Sequence, residues 1–160
     1  MARKPFYLRL FWMAIVVLLV ALPAWRRSDI PARYGIGMEE FKAKTEAMVA
    51  AFATGREEGG IPVIHPPEGD VYLMAHQFGW YPVLEMEVGR SYRLHVLSED
   101  VMHGFAVTFD HGAERLLMPN QAEIVSLRPT VPGHYQIICA DYCGIEHNSM
   151  RAPLIVTPRR

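Results

Sequence analysis

Two cysteines, one histidine and one methionine occur close together over residues 139–150, with the spacing Cys-x3-Cys-x3-His-x2-Met. Thiolate, imidazole and thioether groups are soft or borderline donors, which suit copper and argue strongly against calcium or magnesium. The segment directly follows a strand-like run at residues 135–138. Because a loop between two strands can curl all four donors around one point, this spacing predicts a copper site.

A second imidazole would complete two roughly trigonal copper positions, bridged by the sulfurs of Cys139 and Cys143 and with His147 on one of them. Residues 98–105 supply such a group at His103, which stands at the start of a predicted strand. That strand end can face the downstream loop across the top of a sandwich, so we predict His103 as a ligand. The other histidines lack a matching motif and are interpreted as ordinary surface or hydrogen-bonded residues: His65, His76, His95, His111 and His134.

Three other interpretations of these residues remain open. A disulfide between Cys139 and Cys143 is compatible with an exported domain in an oxidising compartment, but it leaves His147 and Met150 without a role. A mononuclear blue-copper site needs one cysteine, two histidines and a long axial methionine, and it leaves Cys139 unused. A copper-delivery chaperone with a thioredoxin-like fold would alternate strands with helices, whereas the segments beside these cysteines are β-type.

The elements that must position these residues are short β-type runs separated by turn signals, from about residue 70 onwards. Turn chemistry occurs at residues 88–90, 110–112, 118–120 and 132–133. Seven strands in so few residues predict a mainly β chain, an antiparallel sandwich with Greek-key connections. The predicted strands are residues 71–78, 84–88, 92–97, 105–109, 124–127, 135–138 and 154–156.

Upstream of the strands, apolar residues recur at spacings of three and four from Met38 to Phe52, which predicts an amphipathic helix. Residues 56–67 contain Gly59-Gly60 and Pro66-Pro67 and are interpreted as a linker.

The amino-terminal residues 10–25 form an uncharged run with basic residues on both sides. A bilayer core of about 30 Å needs about 20 helical residues, so the run spans a membrane if residues 6–9 join it and Arg9 reaches the headgroups. A cleaved signal peptide is the alternative. The chain is thus predicted to contain a membrane anchor (1–27), a linker with a short helix (28–67) and a β-domain (68–160).

The overall composition excludes one class of partner. In 160 residues, Lys and Arg total 16 and Asp and Glu total 17. Nucleic-acid binding needs a broad positive field, so no nucleic-acid partner is predicted.

Taken together, residues 100–105 (Asp-Val-Met-His-Gly-Phe) and the cysteine segment resemble the CuA signature of cytochrome c oxidase subunit II. The resemblance covers about residues 71–156. It implies a cupredoxin-like Greek-key β-sandwich with one N-terminal transmembrane helix, and a binuclear copper centre of two Cu ions, called CuA.

The resemblance also implies a role for each residue of the site. Cys139 and Cys143 would bridge the coppers, and His103 and His147 would each bind one of them. Met150 and the backbone carbonyl of Asp141 would be the weak axial ligands. Many family members carry Glu at the position of Asp141, where the carboxylate also meets a magnesium ion. The shorter Asp side chain argues against that contact here.

Other features are similar to the branch of B-type oxidases with a single-helix subunit II. Residues 75–82 fall where the family carries an aromatic segment, of which Trp80 and Tyr81 remain. An exposed aromatic beside the copper site would be the first acceptor of an electron, with edge-strand packing or a subunit contact as the alternative. Acidic residues that could meet a donor protein include Glu99, Asp100, Asp110 and Glu114.

The implied function is one-electron relay without substrate chemistry in this chain. A cytochrome c or small copper protein would reduce the copper pair, which would pass the electron to haem in a catalytic membrane subunit. Haems are expected only in that partner. A CuA subunit of a haem–copper nitric oxide reductase remains an alternative. The resemblance further implies a single-pass protein of the cell membrane, in contact with lipid, with its N-terminus cytoplasmic and its copper domain periplasmic.

Overall fold

The computed structural model describes residues 4–27 and 32–159. These residues form two compact units, which divide between Pro31 and Ala32.

The first unit contains helix α1, Lys4–Arg27. Its apolar side chains between Phe6 and Val20 are largely exposed. Among the described residues, no helix reaches the length and apolarity required for a membrane span. The transmembrane helix predicted for residues 1–27 is therefore not confirmed.

The second unit contains two β-sheets and helix α2, Met38–Phe52, which confirms the helix predicted from the apolar spacing. The described strands are β1 Ala32–Gly35, β2 Ala53–Glu58, β3 Ile61–Ile64, β4 Gly69–His76, β5 Gly79–Tyr81, β6 Val83–Glu87, β7 Tyr92–Ser98, β8 His103–Val107, β9 Asp110–Leu117, β10 Gln121–Leu127, β11 Gly133–Cys139 and β12 Arg151–Thr157.

The strands lie in a five-stranded sheet, ordered β1-β10-β7-β4-β5, and a seven-stranded sheet, ordered β2-β3-β6-β12-β11-β8-β9. All seven predicted strands are confirmed, as β4, β6, β7, β8, β10, β11 and β12. The expectation of a purely antiparallel sandwich is wrong, because β4 pairs with β7, β3 with β6 and β6 with β12 in parallel. Parallel neighbours are distant in sequence, so no local turn signal reveals them.

The main core lies between the sheets, because alternate residues of each strand point to one face. In β4, Val71 and Leu73 belong to this core, whereas Met74 belongs to a second cluster with Phe41 of α2, and Tyr72 packs against both clusters. Helix α2 therefore covers the outer face of the five-stranded sheet. The largest fully buried side chains include Trp80, Tyr92, Phe41 and Phe105.

The prediction of a linker at residues 56–67 is wrong for residues 56–64. Strands β2 and β3 form a hairpin, and β3 joins the seven-stranded sheet beside β6. Buried Val63 and Ile64 attach the hairpin to the protein interior. His65, directly after β3, also lies between two buried carboxylates of β6, with Nδ1 2.9 Å from Glu85 Oε1 and Nε2 3.2 Å from Glu87 Oε1.

Strand β9 is another element that the sequence did not predict. A turn was expected at residues 110–112, but the chain turns at residues 108–109 and strand β9 begins at Asp110. The sheet order then places β8 between β9 and β11. His103 opens β8 and Cys139 closes β11, so two neighbouring strands bring these residues together.

Candidate metal centre

The segment with the two cysteines forms a closed loop between β11 and β12. The backbone N–H of Cys139 donates to the carbonyl of Met150 at 3.1 Å, which joins the two ends of the loop. A short 3-10 helix, His147–Ser149, completes the return. The loop therefore carries Cys139, Cys143, His147 and Met150 to one place, as the spacing predicted.

Both cysteines are free and buried. Their Sγ atoms are 3.6 Å apart, far longer than the roughly 2.05 Å of a disulfide bond. The ligand atoms of Cys139, Cys143 and His103 lie within 4.8 Å of one another, and they form the group found among the described residues that could hold a metal ion.

The remaining donor atoms divide between the two sulfurs. The sulfur of Cys139 lies 3.8 Å from His103 Nδ1 and 3.1 Å from the carbonyl oxygen of Asp141. The sulfur of Cys143 lies 3.7 Å from His147 Nδ1 and 3.6 Å from Met150 Sδ. Each thiol thus has one imidazole and one weaker donor beside it, which gives the site two similar halves.

Asp100 orients the imidazole of His103. The Nε2–H of this fully buried histidine donates to Asp100 Oδ1 at 2.8 Å, which leaves Nδ1 to face the sulfur. A carboxylate on the far nitrogen is the usual way that a metal-binding histidine is held in one tautomer. Burial raises the pKa of Asp100, but hydrogen bonds from His103 and from two backbone N–H groups outweigh burial and keep the pKa below its ordinary value.

Gly104 permits the loop between β11 and β12 to approach β8. The backbone N–H of Ala140 donates to the carbonyl of Gly104 at 2.9 Å. A Cβ atom at Gly104 would lie 2.5 Å from the backbone nitrogen of Asp141 and would also overlap its carboxylate. Glycine is therefore required where His103 and Asp141 come together.

The electrostatics of the site favour the neutral thiol of Cys143 when no metal is bound. Burial is the main cause that raises the pKa of Cys143 to about 11, and the hydrogen bond with Cys139 adds to it. A thiol binds a metal as the thiolate, so metal uptake at Cys143 must displace a proton.

The donor set fits copper. Sulfur and imidazole nitrogen are donors that copper prefers, and a long thioether or carbonyl contact is a common weak axial ligand. The donors fall into two similar groups, one beside each sulfur.

Two sequence interpretations outside the loop change with the structure. Trp80 is fully buried, with its ring centroid 5.8 Å from that of Phe105 in an edge contact, so the expectation of an exposed aromatic is wrong at this position. The alternative of packing at an edge strand fits, since β5 ends the five-stranded sheet. Tyr81 is half-buried, and its hydroxyl donates to Glu46 of α2 at 3.1 Å.

The exposed aromatic beside the site is Tyr142, which the sequence interpretation did not single out. Its side chain is 75% exposed, and its ring centroid lies 5.8 Å from that of His147. The sequence feature that could have identified Tyr142 is its position between the two cysteines. The Sγ atoms of the two cysteines point to a shared centre, and the side chain of Tyr142 between them points outward.

The chain is similar to known oxidase subunits in sequence. The model of a family described as cytochrome c oxidase subunit II, periplasmic domain, matches residues 76–158. Cytochrome c oxidase subunit 2 of Thermus thermophilus is 34% identical over 92 residues, which cover 57% of this chain and 67% of the relative. A second Thermus thermophilus sequence of that name is covered over 54% of its length. An alternative cytochrome c oxidase subunit 2 of Bradyrhizobium diazoefficiens is 32% identical over 73 residues, 46% of this chain and 26% of the relative.

Solved structures resemble the chain in fold. The periplasmic domain of cytochrome oxidase subunit II from Bradyrhizobium japonicum has a TM-score of 0.51 at 18% identity, over 56% of this chain and 83% of that one. Rusticyanin from Thiobacillus ferrooxidans, a copper protein, has a TM-score of 0.52 at 14% identity, over 79% and 97%. At these identities the likeness shows the fold alone, which is mainly β and cupredoxin-like.

Proposed function

The chain belongs to the cytochrome c oxidase subunit II family through the periplasmic domain of that family, and on this premise we propose that it is the electron-accepting subunit of a haem–copper oxidase. It would receive electrons at a binuclear CuA centre and pass them to haem in a catalytic subunit. The observation that carries the proposal is the pairing of donors: His103 and the Asp141 carbonyl beside Cys139, and His147 and Met150 beside Cys143.

In this proposal the residues of the chain hold the metal and restrict its surroundings. When bound, the copper pair supplies one-electron redox chemistry. Cys139 and Cys143 would hold both ions, His103 and His147 would each bind one of them, and Met150 and the Asp141 carbonyl would be the weaker ligands. Burial of the cysteines and of His103 keeps water away, and the ends of β8 and β11 hold His103 and Cys139 in paired strands. A rigid set of ligands lowers the structural cost of a change in oxidation state.

The partners follow from the same function. A cytochrome c or small copper protein would be the donor, and the haems would lie in the catalytic membrane subunit. That subunit would also determine whether oxygen or nitric oxide is reduced. The copper domain would face the periplasm, as the name of the matched family domain supports. We propose residues 1–27 as the membrane anchor with a cytoplasmic N-terminus, and the exposed apolar side chains of α1 support lipid contact.

The aromatic through which the electron arrives would be Tyr142 rather than Trp80. Trp80 is enclosed in the core, whereas Tyr142 is both exposed and in contact with the ring of His147. Asp100, considered above as an acid for donor docking, is engaged with His103 instead.

Electron paramagnetic resonance of the copper-loaded chain tests the function. We expect the signal of one unpaired electron shared by two equivalent copper ions. A one-copper signal would favour the blue-copper carrier, and failure to bind copper would favour a disulfide between the cysteines.

Cys139→Ser provides the companion variant. It should abolish the shared signal, because one bridging sulfur is lost. A mononuclear site built from His103, Cys143, His147 and Met150 would survive this change.

A further inference from the structure

The turn between β4 and β5 lies directly against the cysteine loop, which joins β11 and β12. The side-chain amide of Gln77 donates from Nε2 to the carbonyl oxygen of Cys143 at 2.6 Å. The backbone N–H of the same residue donates to Asp100 Oδ2 at 2.7 Å. One residue of the turn thus contacts both the cysteine loop and the acid that orients His103.

Asp100 completes a continuous path between the two halves of the site. Its Oδ1 accepts from His103 Nε2 at 2.8 Å and from the backbone N–H of Val101 at 2.6 Å. The hydrogen bonds therefore run from His103 through Asp100 and Gln77 to Cys143. This path joins the imidazole of β8 to the loop between β11 and β12 without passing through the metal positions.

Gly144 supplies an independent indication that the close approach of the turn is built into the chain. A Cβ at Gly144 would lie 2.9 Å from Gln77 Nε2 and 3.0 Å from the ring of Phe78. The φ of Gly144 is +139°, a backbone conformation that other residues rarely adopt. The backbone conformation at Gly144 therefore favours glycine, and the space for a side chain is tight where the turn contacts the loop.

We propose that Gln77 is a positioning residue for the copper centre, which fixes the Cys143 half of the site relative to the His103 half. This inference rests on the proposed function, because equal sharing of an electron needs two equivalent metal positions. With the carbonyl of Cys143 held from one side, its sulfur keeps a constant distance from that of Cys139. Without this hydrogen bond the loop can shift, and the two positions become unequal.

Gln77→Met tests the inference, since methionine has a similar length but no hydrogen-bond donor. Gln77 is exposed, so the variant should fold, which far-UV circular dichroism checks. Gln136→Met makes the same chemical change in the middle of β11, opposite Pro153, and serves as the matched control.

We expect the copper-loaded Gln77→Met chain to show unequal hyperfine splitting from the two coppers. It should also lose copper to a chelator about fivefold faster, the factor that corresponds to one ordinary hydrogen bond. The Gln136→Met control should match the wild type in both measurements. A purely structural role of Gln77 would lower the unfolding temperature of the metal-free protein without changing the distribution of the electron.

A double variant with Asp100→Ala tests whether the path acts as a unit. If Gln77 acts together with Asp100, the two substitutions should be non-additive in the rate of copper loss. Identical spectra and rates for wild type and Gln77→Met would overturn the inference and leave the proposed function intact. A one-copper signal in the wild type itself would overturn both.

Discussion

At the scale of single residues, Gly104 illustrates how closely the loop between β11 and β12 packs on β8. Substitution by alanine would place a methyl group 2.5 Å from the backbone nitrogen of Asp141 and 2.9 Å from the carbonyl carbon of Ala140. Both contacts are with backbone atoms, which cannot rotate away as a side chain can. The loop must move as a whole to accept the new atom.

We expect Gly104→Ala to weaken copper binding and to destabilise the fold by roughly 1–3 kcal/mol, as overpacking usually does. Copper titration and thermal unfolding measure the two effects. Gly35→Ala is the matched control, because a Cβ at Gly35 meets no atom within 4 Å. Equal copper affinity of the two variants would contradict the steric argument.

Tyr142 carries a prediction about electron transfer from a protein donor. Tyr142→Ala should slow reduction of the copper-loaded chain by a soluble cytochrome c by about tenfold, the factor for a lost aromatic contact of about 1.4 kcal/mol. Tyr142→Phe keeps the ring and should react at nearly the wild-type rate. Stopped-flow absorbance follows the reaction, and a small inorganic reductant provides a reference. An unchanged rate in the alanine variant would exclude Tyr142 as the contact.

The residues of the centre could be predicted from the sequence because their chemistry is local. Four donors fall within residues 139–150, and the spacing alone defines a loop. His103 could be predicted only from its place at the start of a strand, and the resemblance supported that choice, since no spacing rule joins it to Cys139. The hydrogen bonds of Gln77 and Asp100 could not be predicted, because they depend on how the ends of β4 and β7 meet. The positioning role of Gln77 and the ligand roles of the site residues are predictions that the copper measurements described above test.

At the scale of elements, Asp70 connects strands β4 and β7 through charge. Its carboxylate accepts from Arg93 Nε at 2.7 Å and Nη2 at 2.8 Å, and from His95 Nε2 at 3.0 Å. The hydrogen bond from Arg93, followed by that from His95, lowers the pKa of Asp70 to about 2. A carboxylate with a lowered pKa stabilises the folded state above its ordinary pKa, and this contribution is lost as the pH falls through 2.

Asp70→Asn should therefore reduce the free energy of unfolding at pH 7, with a difference from wild type that shrinks between about pH 5 and pH 2. Asp70 is 42% exposed, so solvent screening keeps the effect below about 1 kcal/mol. Urea unfolding of the metal-free protein across this range measures it. Glu39→Gln, an exposed position on α2, is the control. A difference that stayed constant down to pH 2 would contradict the assignment.

Strand periodicity explains which elements were predictable. The seven predicted strands contain alternating or continuous apolar residues, which the sandwich interior requires. Strand β2 was not predicted because its charged residues Arg56, Glu57 and Glu58 are typical of a solvated linker. Its edge position in the sheet allows such charges. Strand β9 was not predicted because Gly112 near its start indicated a turn. In both cases tertiary pairing, not local sequence, determines the structure.

At the scale of the whole molecule, residues 32–160 form a compact unit that includes β1, α2 and the β2–β3 hairpin. A fragment of residues 32–160 should therefore bind copper and unfold in one cooperative transition. A fragment of residues 60–160 removes β1, α2 and β2 and uncovers the face of the sheet that Phe41 packs against. Loss of one buried phenylalanine costs roughly 3–5 kcal/mol, so this shorter fragment should unfold at a much lower temperature. Equal unfolding temperatures would show that these three elements are dispensable for stability.

The position of Asp100 and Gln77 has a mechanical consequence for the molecule. Both follow strands of the five-stranded sheet, β7 and β4, while His103 and Cys139 belong to the seven-stranded sheet. The candidate metal centre is thus held by residues from both sheets of the sandwich rather than from one sheet. If copper binds as proposed, any shear of one sheet over the other, by hydrostatic pressure or by a bound subunit, should change the absorption spectrum of the copper-loaded protein.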